Sequence, residues 1–117
     1  MSIDLLVGME IDYYGHKEVG SDWLIQLGNS VYRVEYDEED GWRSSCRGCE
    51  RTNELPWISG KPVARVRVGA VEDLPLKYTE VTGWSLFNMA TQKPVLIFGT
   101  DHRDSYYPGF VFQEFPI

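Results

Sequence analysis

Hydrophobic and polar positions alternate along several short stretches of this chain, which is the period of a β-strand with one buried face. The clearest case is residues 62–69, where alanine and valine alternate with Arg65 and Arg67. Residues 3–14 alternate in the same way and are predicted as the first strand, with residues 15–21 as a polar turn. The pattern therefore predicts strands from the start of the chain.

A β-hairpin is predicted over residues 22–36. Two strand-like runs, 22–27 and 30–36, flank Gly28-Asn29, a pair that favours the tight primed turn of a two-residue hairpin loop. On the second run, one face carries Tyr32, Val34 and Tyr36, and we expect that face to turn toward the core.

The pattern of the C-terminal half predicts an antiparallel meander. Residues 71–76 predict one helical turn ended by proline, 77–89 and 94–98 predict strands, 99–108 predict a polar turn, and 110–115 predict the last strand. A period of 3.6 does not persist over the ten or more residues that a core helix needs. The sequence thus predicts a mainly β fold: one antiparallel domain over residues 1–117, with about seven strands and at most one short helix. It leaves open a sandwich, a half-open barrel or a curled sheet.

Residues 37–62 break the alternation. An acidic run, Asp37 to Asp40, leads into a stretch that contains Trp42, Arg43 and two cysteines. Long irregular segments inside compact domains tend to carry function or mobility. Whether this segment is ordered alone or folds on a partner stays open at this point.

The composition narrows the classes of partner. The 117 residues include 18 acidic and 11 basic side chains, for a formal net charge of −7. Binding to nucleic acids or to anionic membranes needs a cationic surface, so we expect neither; the negative charge suits ordinary solubility or docking onto a basic protein partner. Apolar runs fall far short of the ~20 residues that span a bilayer. Asp4 and Glu10 interrupt the N-terminal apolar stretch, so we expect no secretory signal and a cytoplasmic protein.

Two blocks together carry a family resemblance. Residues 35–45 read EYDEEDGWRSS, and residues 99–108 read GTDHRDSYYP. In order and spacing they resemble a family of small bacterial and phage-type proteins of no known function. Those proteins carry an acidic run, Asp-Gly-aromatic-Arg-Ser, and a later Gly-Thr-Asp, Asp and Tyr-Tyr-Pro. The resemblance implies no activity, cofactor or catalytic residue. Trp42 stands where the family pattern has tyrosine, and the two cysteines lie outside that pattern.

The pair Cys46 and Cys49 forms a CxxC motif. A redox role would need the first thiol at a helix N-terminus, and a zinc site would need two further ligands, such as His16 and His102. We expect reduced thiols near a turn. Whether the pair binds metal or forms a disulfide stays open.

The acidic run fails as a calcium loop. When Gly41 is aligned with the EF-hand glycine, Tyr36 takes the first ligand position and Arg47 takes the position of the terminal glutamate. We therefore expect no cofactor and assign no metal ligand. A looser divalent-cation site that joins this run to Asp101 and Asp104 remains an alternative.

The polar turn at residues 99–108 offers His102 beside two carboxylates and Ser105. A Ser-His-Asp triad needs convergence on one point, which neighbours in one turn seldom achieve. We therefore predict no catalytic residue here. Tyr106 and Tyr107 are candidates for an aromatic recognition surface, because tyrosine and tryptophan are favoured interface anchors.

The preferred hypothesis is a non-enzymatic acidic binding protein of the immunity or anti-defence type, which masks a basic protein partner. Its candidate binding residues are Asp37, Glu38, Glu39, Asp40, Trp42, Arg43, Asp101, Asp104, Tyr106 and Tyr107. One alternative is a small-ligand or divalent-metal-binding protein, with or without enzymatic activity, that uses the Asp/His cluster of the 100–107 turn. Another is a phage or bacterial structural component that acts by self-assembly. The oligomeric state is left open.

Overall fold

The computed structural model describes residues 3–20, 22–36, 46–52, 60–71, 81–101 and 109–117. Its elements are the 3-10 turn η1 (Ile3–Leu6) and the strands β1 (Glu10–Val19), β2 (Asp22–Leu27), β3 (Ser30–Tyr36), β4 (Cys46–Thr52), β5 (Ala64–Ala70), β6 (Val81–Asn88), β7 (Lys93–Asp101) and β8 (Gly109–Glu114).

The eight strands form one antiparallel sheet in the order β4-β3-β2-β1-β5-β6-β7-β8. The first four strands are a meander, and the last four are a second meander. The ladder between β1 and β5 joins them, pairing residues 10–13 with residues 64–67. The predicted mainly β, antiparallel fold is confirmed, with eight strands among the described residues instead of about seven and with one short helical element, η1.

The predicted hairpin is confirmed. Strands β2 and β3 pair from Trp23 opposite Val34 to Leu27 opposite Ser30, around the two-residue turn. Tyr32 and Val34 are buried in the core, as the alternation predicted. The side chain of Tyr36 lies outside the described part of the chain.

The prediction for the first strand is wrong at both ends. Residues 3–6 form η1, and β1 runs from Glu10 to Val19, through the predicted turn at 15–21. Ile3 and Leu6 are the buried side chains of this segment, and their spacing of three matches one 3-10 turn. Gly15 lies inside β1 at a register shift next to Tyr13, so this glycine marks a bulge and not a turn.

The polar turn predicted at 99–108 begins too early. Residues 99–101 continue β7, which ends at Asp101, and residues 102–108 lie outside the described ranges. All six residues of β7 from Val95 to Thr100 are buried. A strand covered on both faces loses its alternation, so the sequence pattern could not mark where β7 ends.

The irregular segment 37–62 contains a strand, β4, which the sequence pattern did not predict. The helical turn predicted at 71–76 lies outside the described residues except for Val71.

The sheet curls so that β8 returns to β1 and β2. The rings of Trp23 on β2 and Phe112 on β8 stack at 3.8 Å between centroids. Five strand spacings separate these strands, about 24 Å in a flat sheet. The interior of the curl holds the apolar core. Its fully or nearly fully buried members include Ile3, Leu6, Tyr13, Ile25, Leu27, Tyr32, Val34, Val66, Val68, Leu86, Leu96 and Phe98.

Candidate functional site

Of the ten predicted binding residues, Asp101 lies within the described chain. It is the last residue of β7, half-buried, and pairs with Val81 on one side and Gly109 on the other. The other nine lie outside the described ranges: Asp37, Glu38, Glu39, Asp40, Trp42, Arg43, Asp104, Tyr106 and Tyr107.

The predicted binding residues form two groups, residues 37–43 after β3 and residues 101–107 at the end of β7. The topology shows whether these two strands end at the same margin of the sheet. Tyr36 ends β3 immediately before the acidic run, and Asp101 ends β7 before the tyrosines. Five antiparallel pairings separate β3 from β7, so the two strands run in opposite directions. The two residues therefore end their strands at opposite margins of the sheet. A joint acidic site for a divalent cation stays a prediction.

The cysteines lie in a strand and not near a turn as expected. Cys46 and Cys49 belong to β4, where they pair with Tyr36 and Val34 of β3. The prediction failed because the alternation is weak over this polar stretch. An extended backbone offers no helix N-terminus to lower the pKa of the first thiol, so β4 lacks the setting of a CxxC redox site.

Acidic and basic residues are distributed unequally between the described ranges and the connecting segments. The described ranges contain nine acidic and eight basic residues, which nearly cancel. The remaining residues contain nine acidic and three basic ones, in segments 37–45, 53–59, 72–80 and 102–108. Almost all of the net charge of −7 therefore belongs to segments that connect strands.

A polar cluster that the sequence did not predict joins β1 to β8. The Tyr13 hydroxyl is hydrogen-bonded to His16 Nδ1. On the other side of the ring, His16 Nε2 lies 2.8 Å from Glu114 Oε1. Tyr13 is buried, the His16 side chain is 13% exposed and that of Glu114 is 60% exposed, so the chain of contacts runs from the core to the surface.

The protonation state of Tyr13 follows mainly from burial. Burial first, and the negative charge of Glu114 second, raise the pKa of Tyr13 well above its usual range. Tyr13 therefore keeps its proton, and its hydroxyl is available as a hydrogen-bond donor to the ring of His16.

Aromatic rings hold His16 in place. Its ring lies 6.0 Å from Trp23 and meets Phe112 edge-on at 5.5 Å. With the stack of Trp23 on Phe112, these contacts fix β8 against the first meander. The cluster closes the curl, and the Tyr13 hydroxyl stays protonated, so it does not supply a base or a nucleophile there. No sequence signal points to it, because His16 and Glu114 belong to opposite ends of the chain.

In the N-terminal segment, residues 3–9, some apolar side chains are buried in the core and others are exposed to solvent. Ile3 and Leu6 are buried, whereas Leu5, Val7 and Met9 are 66%, 45% and 49% exposed. The segment is held by hydrogen bonds from Trp84 Nε1 to Asp4 Oδ1 (2.7 Å), from Gly8 N to Val68 O (2.7 Å) and from Val68 N to Met9 O (3.0 Å).

The described residues contain no cluster of three or more histidine, cysteine or acidic side chains placed to hold a metal ion. Within the same ranges, no helix has the length and apolarity needed to span a membrane. Comparisons with protein-family models, with curated protein sequences and with solved structures found no match for this chain.

Proposed function

We propose that this chain is a non-enzymatic binding protein that docks onto a basic protein partner through the acidic segment 37–40, as an immunity or anti-defence protein masks its target. The proposed site of action is the cytoplasm. Trp42 and Arg43, which follow the acidic run in the sequence, are proposed as contacts with it, and Asp101, Asp104, Tyr106 and Tyr107 are proposed as a second group of contacts.

The unequal charge distribution is the observation that carries the proposal. Nine acidic and eight basic residues nearly cancel over the described ranges, so the strands contribute little net field. Four consecutive carboxylates follow directly after β3, at residues 37–40. A concentrated negative segment on a nearly neutral scaffold accelerates encounter with a cationic partner and repels anionic ones.

The test compares two variants of equal net charge. In the first, Asp37, Glu38, Glu39 and Asp40 are all changed to lysine. In the matched control, four acidic residues of other connecting segments, Glu54, Glu72, Asp73 and Glu80, are changed to lysine. Both variants change the net charge by the same amount, so they separate the effect of position from that of total charge.

Each tagged protein is incubated with an extract of its native host and eluted with increasing salt, and eluted proteins are identified by mass spectrometry. We expect a stoichiometric basic protein that the wild type and the control retain and the 37–40 variant loses. With that protein purified, its association rate should fall at least about tenfold in the 37–40 variant at low ionic strength. Equal retention by both variants, or no retained protein at all, would contradict the proposal.

A further inference from the structure

The two cysteines of the chain lie on either side of a β-bulge in strand β4. Cys46 pairs with Tyr36 and Cys49 pairs with Val34, and the register of the two strands shifts between these pairs. One residue separates the two partners on β3, whereas two residues separate the cysteines on β4. An extra residue on one strand of an antiparallel pair is a β-bulge. The CxxC motif and the bulge therefore coincide.

The bulge places the two cysteine positions on one face of the sheet. In a regular strand, residues three apart belong to opposite faces, because successive positions alternate. Residues that lie directly opposite each other in an antiparallel pair share a face. Since Val34 and Tyr36 are two apart on β3, they share a face, and Cys49 and Cys46 share it with them. It is the face on which Val34 is buried.

The bulge also shortens the distance between the two positions. Cysteines three apart on a regular strand have Cα atoms roughly 10 Å from each other. Because Cys46 and Cys49 lie opposite residues that are two apart, the register gives their Cα atoms a separation of two strand steps, about 6.6 Å. A disulfide joins Cα atoms about 4.4–6.8 Å apart, so the bulged strand meets this spacing and a regular strand does not.

We propose that Cys46 and Cys49 are a reversible disulfide site, which closes across the bulge by exchange with a low-molecular-weight disulfide such as glutathione disulfide. One protein thiolate attacks a sulfur of the oxidant, forms a mixed disulfide and releases one glutathione. The second protein thiolate attacks the protein sulfur of the mixed disulfide and releases the second glutathione. The two protein thiols are oxidised, the oxidant is reduced to two thiols, and the two protons pass to the released glutathiones.

The setting suits a redox-responsive lock and not an oxidoreductase. Strand β4 offers no helix N-terminus to activate a thiol, so the pair is not a fast catalyst of exchange. Within the described ranges β4 pairs with β3 alone, at one end of the strand order. A closed disulfide holds the bulge and the β3–β4 ladder beside the point where segment 37–45 joins β4. This inference does not depend on the proposed function, since it concerns the two thiols only.

The test measures the equilibrium between the dithiol and the disulfide. The full chain is equilibrated with mixtures of reduced and oxidised glutathione, free thiols are blocked with iodoacetamide, and the products are separated by mass. Because the chain contains two cysteines, a monomer that has lost both free thiols and carries no glutathione identifies the disulfide between Cys46 and Cys49. The measurement is repeated in concentrated guanidinium chloride, which unfolds the chain and removes the bulge.

The matched control moves one thiol by a single residue. It carries Cys49→Ser and Glu50→Cys, and position 50 lies opposite Arg33, on the other face of the sheet from Cys46. In the unfolded chain the two possible loops differ by one residue, which changes the entropy of loop closure little. Circular dichroism checks that the control keeps the strand content of the wild type.

We expect the folded wild type to favour the disulfide at least about tenfold more than the folded control and than the unfolded wild type. By linkage, the second ratio is the factor by which oxidation stabilises the fold, about 1.4 kcal/mol for tenfold. Urea unfolding of the reduced and oxidised wild type measures this stabilisation without the control. The inference is overturned if the folded and unfolded wild type form the disulfide equally, if the folded control matches the wild type, or if the oxidised product is a dimer or a mixed disulfide.

Discussion

Two strand pairs of the same sheet differ in how much space they leave for a changed side chain. Between β6 and β7, Gly83 faces Gly99, and a Cβ on Gly99 would come 2.1 Å from the Thr82 carbonyl oxygen. Between β1 and β5, the outer face instead carries Glu10 opposite Arg67 and Asp12 opposite Arg65.

This difference shows that equal backbone pairing does not mean equal tolerance of change. Where β7 is covered on both faces, a single added methyl group has no free space. Where β1 and β5 face solvent, charged side chains adjust to a substitution and water replaces their contacts. We therefore expect the cost of substitutions to fall from the first pair to the second.

The largest effect is expected for Gly99→Ala. The new methyl group meets the backbone of Thr82 and Gly83, which cannot move away without disturbing the ladder, so the free energy of unfolding should fall by about 3 kcal/mol. Urea unfolding measures this loss. The control is Gly20→Ala, where φ is +64° and the site is open, so only the conformational cost of about 1 kcal/mol applies. Equal losses in the two variants would contradict the steric explanation.

An intermediate effect is expected for Tyr13→Phe, on the inner face of the solvent-exposed pair. The substitution removes the hydroxyl that bonds His16 Nδ1 and leaves that nitrogen largely buried without its partner. The free energy of unfolding at neutral pH should fall by about 1–2 kcal/mol, measured by urea unfolding. Tyr14→Phe, at the next position, is the control and should cost less.

The same tyrosine predicts a pH dependence. Because burial and Glu114 raise the pKa of Tyr13 in the folded protein, the unfolded chain releases this proton first, above about pH 10. The contribution of Tyr13 to the free energy of unfolding is therefore fully present below that pH. Above it, the contribution declines by up to about 1.4 kcal/mol per pH unit. Unfolding curves between about pH 9 and 11 should decline less steeply for Tyr13→Phe than for the wild type. An unchanged slope would count against a buried, protonated tyrosine.

The smallest effect is expected for Asp12→Ala on the outer face. The Arg65 Nη1 to Asp12 Oδ1 distance is 3.2 Å, but both side chains are exposed. The loss should be about 0.5 kcal/mol or less at low salt and should vanish at high salt, because water and ions screen the pair. Urea unfolding at two ionic strengths measures it. A loss as large as that of Gly99→Ala would remove the difference between the two strand pairs.

Alternation predicted the strands that have one buried face. Ala64–Ala70 alternates buried valines with exposed arginines, and the tight glycine-asparagine turn fixed the register of β2 and β3. The same rule failed at Leu5, Val7 and Met9, which mimic a strand face but are exposed. A period-two pattern does not reveal which set of side chains meets the core.

The candidate sites show a similar limit. The acidic run is visible in the sequence because its charge lies in consecutive residues. The contact of His16 with Glu114 is not visible, because it depends on how far the sheet curls. That curl is set by side chains on β2 and β8, Trp23 and Phe112, which no local pattern relates to one another.

The ladder between β1 and β5 has a consequence for how the chain can be divided. Every other pairing joins strands that are consecutive in the sequence, so each meander holds its own ladders. Two separately produced pieces, residues 1–52 and 60–117, would each keep a complete set of four strands. They would share the β1–β5 seam and the contacts of His16 and Trp23 with β8, which are the features needed for one piece to recognise the other. The molecule is thus suited to fragment complementation: cutting the connection turns the closure of one non-local loop into a bimolecular association, which should depend on the concentration of the pieces.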